Sequence, residues 1–503
     1  MLKKVIKIVG ALVLVTLLGI IVTPFVLLQW GSPGMAAASR AILHSAIGYS
    51  GAEVAEAELR QGLSLAGSLK LQVFASGLNN ARFMAVSEHG DVLLSRPRNG
   101  EVILLTQDRN GDGMADARRV LIDGLNRPHG LALKDGWLYI AESNAIGKVP
   151  FDSKNGQLAG DYRQIVVGLG DNGNHWTKTI GFGPDGWLYL TSGSTCNVCE
   201  EVDPQRATMM RVQPDGSGLE IYATGLRNSV GFDWAPWNDE LYATDNGRDL
   251  LGDDFPPCEL NRVERGGFYG WPYFNADQRD PDYGARLPQG VADHRLPVHE
   301  FRAHNAPLGI HFWRNPPSSD YQRTALVALH GSWNRSQPDG YKVVALSWDD
   351  KGRIVERDFL SGFLQSDKLL GRPVDIAEAP DGSLYVSDDY RGMIYRIGVD
   401  GANMPASVIS SAEENMVSVD SALSAYTVAE RAELRERGEQ LYRQYPCASC
   451  HNANARPLKA LPQRYSLAEL ADFFVTPTPP MPQYPLDSGE REALAVYLFS
   501  LAE

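Results

Sequence analysis

The sequence predicts a mainly β fold, a six-bladed β-propeller, preceded by one transmembrane helix and followed by a small all-α domain. Three observations carry this expectation. A turn-and-strand unit recurs through the middle of the chain, an apolar run follows a cluster of lysines at the start, and the last stretch changes to helical patterning.

The repeat lies between residues 69 and 398. Its copies are His89-Gly90-Asp91-Val-Leu-Leu-Ser95, Lys134-Asp-Gly-Trp-Leu-Tyr-Ile-Ala141, Pro184-Asp-Gly-Trp-Leu-Tyr-Leu-Thr191, Asn238-Asp-Glu-Leu-Tyr-Ala-Thr244 and Pro380-Asp-Gly-Ser-Leu-Tyr-Val-Ser387. A degenerate sixth fits Pro338-Asp-Gly-Tyr-Lys-Val-Val-Ala345. Turn chemistry followed by period-two strands implies β-structure. A spacing of roughly 45–55 residues leaves room for about four strands per unit, which is the size of a propeller blade. A β-sandwich or tandem small β domains are the alternatives. Residues 250–325 form a long insertion rich in Pro, Tyr, His and Trp, the kind of loop that shapes a site on a rigid scaffold.

At the start, Lys3, Lys4 and Lys7 precede an apolar run from Ile8 to Leu28. That run is long enough to cross a hydrocarbon core of ~30 Å as a helix. Residues 1–30 are therefore expected to anchor the chain in the inner membrane, with the lysines inside and the rest in the periplasm. Cleavage near Ala36-Ala37-Ala38 would make the same segment a signal peptide. Residues 31–68 are expected to be a part-helical juxtamembrane segment, and residues 399–428, rich in Ser, Ala and Val, a linker.

Composition removes some classes of function. The 503 residues carry a net charge of −14 and no basic stripe, so nucleic acid is excluded as a partner. Of the five cysteines, Cys196 and Cys199 form a CxxC followed by Glu200, which suits a local disulfide in an exported protein. Cys258 is left as an unpaired thiol.

Residues 429–503 read as two helices, Glu430 to Tyr445 and Ser488 to Leu501, around Cys447-Ala-Ser-Cys450-His451. CxxCH is the attachment pattern of a c-type haem, with two thioether links and a histidine on the iron. Met481, on the proline-stiffened run Thr478-Pro-Pro-Met481-Pro-Gln483, is the candidate sixth ligand, and a packing methionine is the alternative. The segment is expected to be a cytochrome c domain.

Polar clusters fall near the expected inner strands of the propeller. They are Asn126-Arg127-Pro-His129-Gly130, Gly225-Leu-Arg227-Asn228-Ser229, Thr244-Asp245-Asn246-Gly247-Arg248-Asp249 with Asp253, Asp254, Glu259 and Asn261, His330-Gly-Ser-Trp-Asn-Arg335 and Gly371-Arg372-Pro-Val-Asp375. Taken together they resemble the PQQ-dependent glucose/sorbosone dehydrogenases, the soluble quinoprotein aldose dehydrogenases, over about residues 69–398. The C-terminal part resembles c-type cytochromes fused to such enzymes.

The resemblance implies that His129 takes the proton from a substrate hydroxyl, a task suited to imidazole. It implies that Arg227, Asn228 and Arg372 bind the quinone, and that Arg335 stands where the family's glucose enzymes carry a lysine. Backbone carbonyls at Gly247 and Arg248 would hold a Ca²⁺ ion on the quinone. Taken alone, His129 also fits a structural histidine, and Arg227 and Asn228 fit bridges between blades. Asp253 and Asp254 suit solvated loop charges better than ligands. Separately, Asp108, Asn110, Asp112 and Asp116 alternate as in a calcium loop, although Arg119 occupies the twelfth position and a hydrophilic hairpin is the alternative.

The expected protein is thus a quinohaemoprotein that oxidises an aldose, sorbosone-like sugar or related alcohol or aldehyde. Its electrons would pass to its own haem and on to a redox protein or terminal oxidase of the respiratory chain. Two other functions share this fold. A calcium-dependent lactonase-like hydrolase needs paired carboxylates around a central metal, and a non-enzymatic binding propeller needs no redox cofactor.

Overall fold

The computed structural model describes residues 33–49, 62–67, 69–289, 294–365, 368–398, 426–445, 467–475 and 484–501, with a few single positions besides. The apolar run at residues 8–28 lies outside the described residues. Among the described residues, no helix is long and apolar enough to cross a membrane. The chain divides into two compact units, Met1–Pro405 and Ala406–Glu503.

The first unit contains a six-bladed propeller. Each blade is an antiparallel sheet whose first strand lies innermost, and these inner strands are Met84–Val86, Leu131–Lys134, Ile180–Phe182, Phe232–Trp234, Pro307–Phe312 and Pro373–Glu378. The strands behind them are buried on both faces, because each blade is sandwiched between neighbours. Leu188–Ser192, Leu241–Asp245 and Leu384–Asp388 are buried along their whole length. The ring closes non-locally. Lys70–Ala75 pairs antiparallel with Met393–Gly398, so the first propeller strand completes the last blade. Closure removes the exposed edges that an open six-sheet array would present.

In five blades the expected turn-and-strand unit is the second strand. Blade five differs. Its second strand is Thr324–Leu329, and the Asp339-Gly340 turn instead precedes the third strand, Lys342–Trp348. The turn into the second strand is built on Arg323, at φ 51°, without glycine. The degenerate sixth copy therefore marks a different turn, on the opposite rim of the blade.

The segment expected to be a juxtamembrane spacer is docked on the propeller. Helix α1 spans Pro33–Ile47, and Ser64–Leu65 pairs with Leu360 and Ser361 at the edge of blade five. Arg372 donates to the Ala41 carbonyl (3.3 Å) and Ser45 Oγ (3.2 Å), and Arg98 donates to the carbonyls of His44 (3.1 Å) and Ser45 (2.8 Å). These guanidiniums accompany the last turn of α1, where helix carbonyls lack intrahelical donors.

In the second unit, α2 (Val428–Gln444), α3 (Leu467–Phe473) and α4 (Ser488–Ser500) share a core of Leu441, Leu470, Phe474, Leu494, Leu498 and Phe499. Thr427 with Glu430, and Asp487 with Glu490, form reciprocal caps at the starts of α2 and α4. The cap of α4 is thus Asp487, one residue before the start expected at Ser488. Gly438 faces the Ala493 backbone so closely that a Cβ would collide with it, so α2 and α4 cross without an intervening side chain.

Candidate functional site

On one rim of the propeller, the loops entering the inner strands surround a cavity of about 460 Å³. Arg82, Arg98 and Arg127 line it together with Asn174, His175, Trp176, Asn228, His330 and Asp389, and His44 to Ala46 of α1 close one side. A larger cavity of about 630 Å³ lies on the opposite rim. Its polar groups are mostly paired with one another or with nearby side chains, His311 with Glu378 at 2.9 Å and Arg314 with Asp233 at 2.6 Å, so the first cavity is the stronger candidate.

A recurring carboxylate shapes the cavity rim. The second strands end in, or run directly into, an acid that binds the loop entering the inner strand of the same blade. Glu142 accepts from Asn126 N (2.6 Å), Asp245 from Arg227 N (2.9 Å) and Asn228 N (2.6 Å), and Asp388 from Arg372 N (2.9 Å). Burial pushes Asp245 up to about 8 and Asp388 up to about 7, against the lowering effect of those amide donors. These ties fix the backbone from which the site side chains project.

The arginines singled out by sequence are mostly committed to protein. Arg227 donates to the carbonyls of Asn197 and Asn246 (both 2.9 Å), to Asn197 Oδ1 (2.9 Å) and to Asp249 Oδ2 (3.3 Å). Arg335 binds the Asp253 and Ala303 carbonyls and Asp254. Arg372 binds the His330 and Gly331 carbonyls (both 3.1 Å) besides α1. None of the three lines the cavity, so the quinone-binding roles expected of them are not supported by this geometry. Asn228 does line it, and its Oδ1 is enclosed without a partner.

His129 is fully buried and is not part of the cavity wall. Its ring packs against Phe83 at 4.2 Å, tilted by 36°, and Trp176 stands edge-on at 6.2 Å. Nδ1 lies 3.4 Å from Thr179 Oγ1, and Nε2 is enclosed without a partner. Burial, with Arg82 nearby, holds the imidazole well below its usual range. The glycine after it is required by packing. A Cβ on Gly130 would come within 2.6 Å of Ile180 N and 2.9 Å of the Lys178 carbonyl.

Gly247 and Arg248 line a separate narrow cleft with Asp245 and Glu259, and the Arg248 guanidinium clamps Asp280 (2.8 and 2.9 Å) and Asp282 (2.9 Å). These residues do not fit an ion seated on a cofactor in the main cavity. In the 108–116 loop, Asp108 accepts from the amides of Gly111, Asp112 and Gly113, and Asn110 from Asp112. The oxygens of Asp108, Asp112 and Asp116 do not gather. Among the described residues, only Cys196, Cys199 and Glu201 bring three such ligand atoms within 4.8 Å of one another. The two cysteines are joined as a disulfide, as their spacing predicts, and Cys258 is a buried thiol. Cys447 follows α2 and is half-buried, whereas Cys450, His451 and Met481 lie outside the described residues.

The cavity residues that sequence reasoning passed over are Arg82, Arg98, Asn174, His175, Trp176 and Asp389. His175 Nδ1 lies 3.0 Å from the Ser194 carbonyl and 2.9 Å from Ser194 Oγ. Among the described residues Asp389 is the one carboxylate of the cavity wall, and it is bound by Arg82 (2.7 Å), His330 (2.9 Å) and His44 (3.1 Å). Burial works against its ionisation, but His330 and His44 outweigh it and hold Asp389 well below the usual carboxylate range.

A family model for glucose/sorbosone dehydrogenases matches residues 140–396. An uncharacterised protein of Borreliella burgdorferi is 41% identical over 218 residues, which is 42% of this chain and 56% of that protein, so the chain spans little more than half of this relative. The aldose sugar dehydrogenase YliI of Escherichia coli is 22% identical over 324 residues, covering 57% of this chain and 79% of that protein. Among solved structures, a calcium structure of the Trichoderma reesei family AA12 enzyme gives a TM-score of 0.56 at 23% identity, over 67% of this chain and 97% of that one. The holo PQQ domain of the pyranose dehydrogenase from Coprinopsis cinerea gives 0.54 at 20% identity, over 67% and 96%. The structural likenesses establish the propeller fold, and the family model spans half of the sequence: the chain belongs to the glucose/sorbosone dehydrogenase family.

Proposed function

We propose that this protein is a PQQ-dependent dehydrogenase of aldoses or related alcohols and aldehydes. It works in the periplasm from an inner-membrane anchor, and it hands electrons to a haem c on its own C-terminal domain. The observation that carries the quinone is the convergence of Arg82, Arg98 and Arg127 on one cavity whose carboxylate among the described residues, Asp389, is already paired. Pyrroloquinoline quinone is a flat tricarboxylate, and guanidinium is the side chain best matched to carboxylates. Each of the three is bonded to protein through one terminal nitrogen, to Asp389, to the α1 carbonyls and to Asp171. The Trp176 ring adds an aromatic wall, and Asn228 adds an amide to the lining. The donor set therefore fits the group.

Bound there, the quinone supplies two-electron, hydride-accepting chemistry. The chain's own part is to hold its carboxylates, to orient a sugar hydroxyl against Asn228 and to keep a neutral imidazole at the cavity wall. The lactonase-like alternative needs paired carboxylates on a central metal, and among the described residues the cavity has one, tied by Arg82 and two imidazoles. The haem and the membrane anchor rest on CxxCH at 447–451 and on the apolar run at 8–28. A tethered haem would accept the electrons at high effective concentration.

The test is a visible spectrum of the full-length protein reconstituted with PQQ, with and without calcium, before and after a panel of aldoses. Reduction of the haem by an aldose only when PQQ is present is the expected result. Bound quinone with no aldose able to reduce it would overturn the substrate class, and failure to bind quinone would overturn the cofactor.

A further inference from the structure

The sequence marks residues 31–68 only as a spacer, yet the last turn of α1 forms one side of the cavity. Three ties hold that turn, and each reaches a group that lines the cavity or its backbone. Arg372 makes the first. It is buried, and it donates to the Ala41 carbonyl and Ser45 Oγ on one side and to the His330 and Gly331 carbonyls on the other. Arg98 makes the second. One terminal nitrogen bonds the His44 and Ser45 carbonyls, at the negative end of the helix dipole. Carbonyls orient this cation without cancelling its charge. His44 makes the third. Its Nε2 lies 3.1 Å from Asp389 Oδ1, the oxygen that His330 Nε2 reaches at 2.9 Å, while Arg82 binds Oδ2 at 2.7 Å.

The surroundings of His44 do not suit a packing residue. Asp389 is held well below the usual carboxylate range and so is ionised, and both imidazoles face its Oδ1 with an N–H on Nε2. The His44 ring is buried and edge-on to Tyr390 at 5.1 Å, and its Nδ1 is enclosed without a partner. An apolar ring would fill the same space without burying an unpaired nitrogen, which costs stability. What the imidazole adds over a phenyl ring is the bond to Asp389. A carboxylate oxygen that accepts two N–H groups is fixed from two directions, and the other oxygen is left to Arg82. His44 thereby orients two groups of the cavity wall, Arg82 and His330, through a third, Asp389.

We infer that α1 completes the cofactor cavity, with His44 as a positioning residue, so that the quinone binds with α1 docked and in turn holds it there. The inference rests on the PQQ reading above. Two of the three guanidiniums assigned to the quinone's carboxylates take their placement from α1, Arg98 directly and Arg82 through Asp389. With α1 undocked, Arg98 loses both carbonyls and Asp389 loses one of three donors, and the ligand must then order them itself. Whatever the docked helix adds to quinone affinity, the quinone returns to docking, because coupling between two binding events is reciprocal. The helix therefore reports whether the cavity is filled.

The first test reads binding. Full-length apoprotein is titrated with PQQ as wild type, His44→Phe and His44→Gln. Phenylalanine keeps a ring against Tyr390 and removes the N–H, and glutamine restores an N–H at similar reach. His44→Phe is expected to weaken PQQ about tenfold, and His44→Gln to stay within about threefold of wild type. Wild-type affinity in the folded His44→Phe protein would overturn the positioning role, and so would equal losses in both variants. The second test needs no substitution. Amide hydrogen exchange in α1, followed by mass spectrometry of the full-length protein, is expected to slow at least about tenfold with saturating PQQ, and to slow far less in the closing strand Lys70–Ala75. Quinone that binds without slowing α1, or that slows both segments equally, would overturn the coupling. A wild-type protein that binds no quinone would instead bring down the cofactor reading and the inference with it.

Discussion

Arg127 and Arg227 occupy comparable places, in the loops that enter the inner strands of blades two and four, and they meet opposite fates. The Arg227 side chain is 5% exposed and bound by Asn197, Asn246 and Asp249. The Arg127 side chain is 39% exposed, pairs with Asp171 at 2.7 Å, and lies over Trp176 at 4.8 Å on the cavity wall. One guanidinium holds the scaffold and the other faces the cavity. The difference comes from the neighbouring loop. Over blade four, the disulfide-closed turn at Cys196–Cys199 of blade three brings Asn197 onto Arg227 and surrounds it with acceptors. Blade two has no such cover, and Asp171 reaches Arg127 from one side only.

The largest expected break in this comparison is Arg227→Ala. It leaves buried carbonyls and the Asp249 carboxylate without their donor, and losing one partner of a buried ionic network typically costs about 3–5 kcal/mol. Urea unfolding followed by tryptophan fluorescence measures it. A loss under about 1 kcal/mol would mean that Arg227 is free for a ligand after all.

A smaller effect separates the acids beneath the two arginines. Asp245, under Arg227, is pushed up to about 8 by burial, with Glu259 adding to it. Its unfolded value is near 3.8. The folded state therefore holds the proton more tightly than the unfolded state. The stability this contributes is complete below about pH 4, and it declines as pH rises and is lost through about pH 8. Asp245→Asn removes the titrating group at the cost of the acceptor for one of the two amides, and its unfolding free energy is expected to flatten over that window. A profile that keeps its slope would place the titration elsewhere, with Asp388 in blade six the next group to substitute.

What the sequence made legible was local. Asp-Gly followed by Trp-Leu-Tyr specifies a turn and a buried strand within eight residues, and those units became second strands of blades. The strand Lys70–Ala75 was not legible as the closing strand, because its partner lies more than 300 residues away and nothing local encodes the pairing. Blade five misled the repeat for a related reason, since Arg323 makes the turn into its second strand with no Asp beside it, and an Asp-Gly pair precedes the third strand instead. The site divides in the same way. Arg227, Arg335 and Arg372 stood out because polar runs surround them, and those same polar neighbours turned out to be their partners. Arg82 and Arg98 sit in the plain runs Ala81-Arg82-Phe83 and Pro97-Arg98-Asn99, and only the ring closure brings them to one cavity. For His175 a signal existed. Asn174-His175-Trp176, in a glycine-bearing loop just before an inner strand, has the same setting as the motif of His129.

Arg127→Ala gives the smallest effect and the sharpest contrast. Its pair with Asp171 is open to solvent, and exposed pairs contribute about 0–1 kcal/mol, so urea unfolding should shift by no more than that. If Arg127 instead holds a cofactor carboxylate, the loss appears in binding. Removing one charge-assisted contact at a partly exposed wall is expected to weaken PQQ about tenfold, near 1.4 kcal/mol. Equilibrium titration of the apoprotein reads that directly, and Arg98→Ala should behave alike in binding while also loosening α1. A tenfold loss of quinone affinity in the folded Arg127→Ala protein, set beside a destabilised Arg227→Ala protein with unchanged affinity per folded molecule, would assign the two arginines to ligand and scaffold. The reverse pattern would return the quinone to the narrow cleft around Arg227, Asp245 and Gly247, and would require that cleft to open before the cofactor enters.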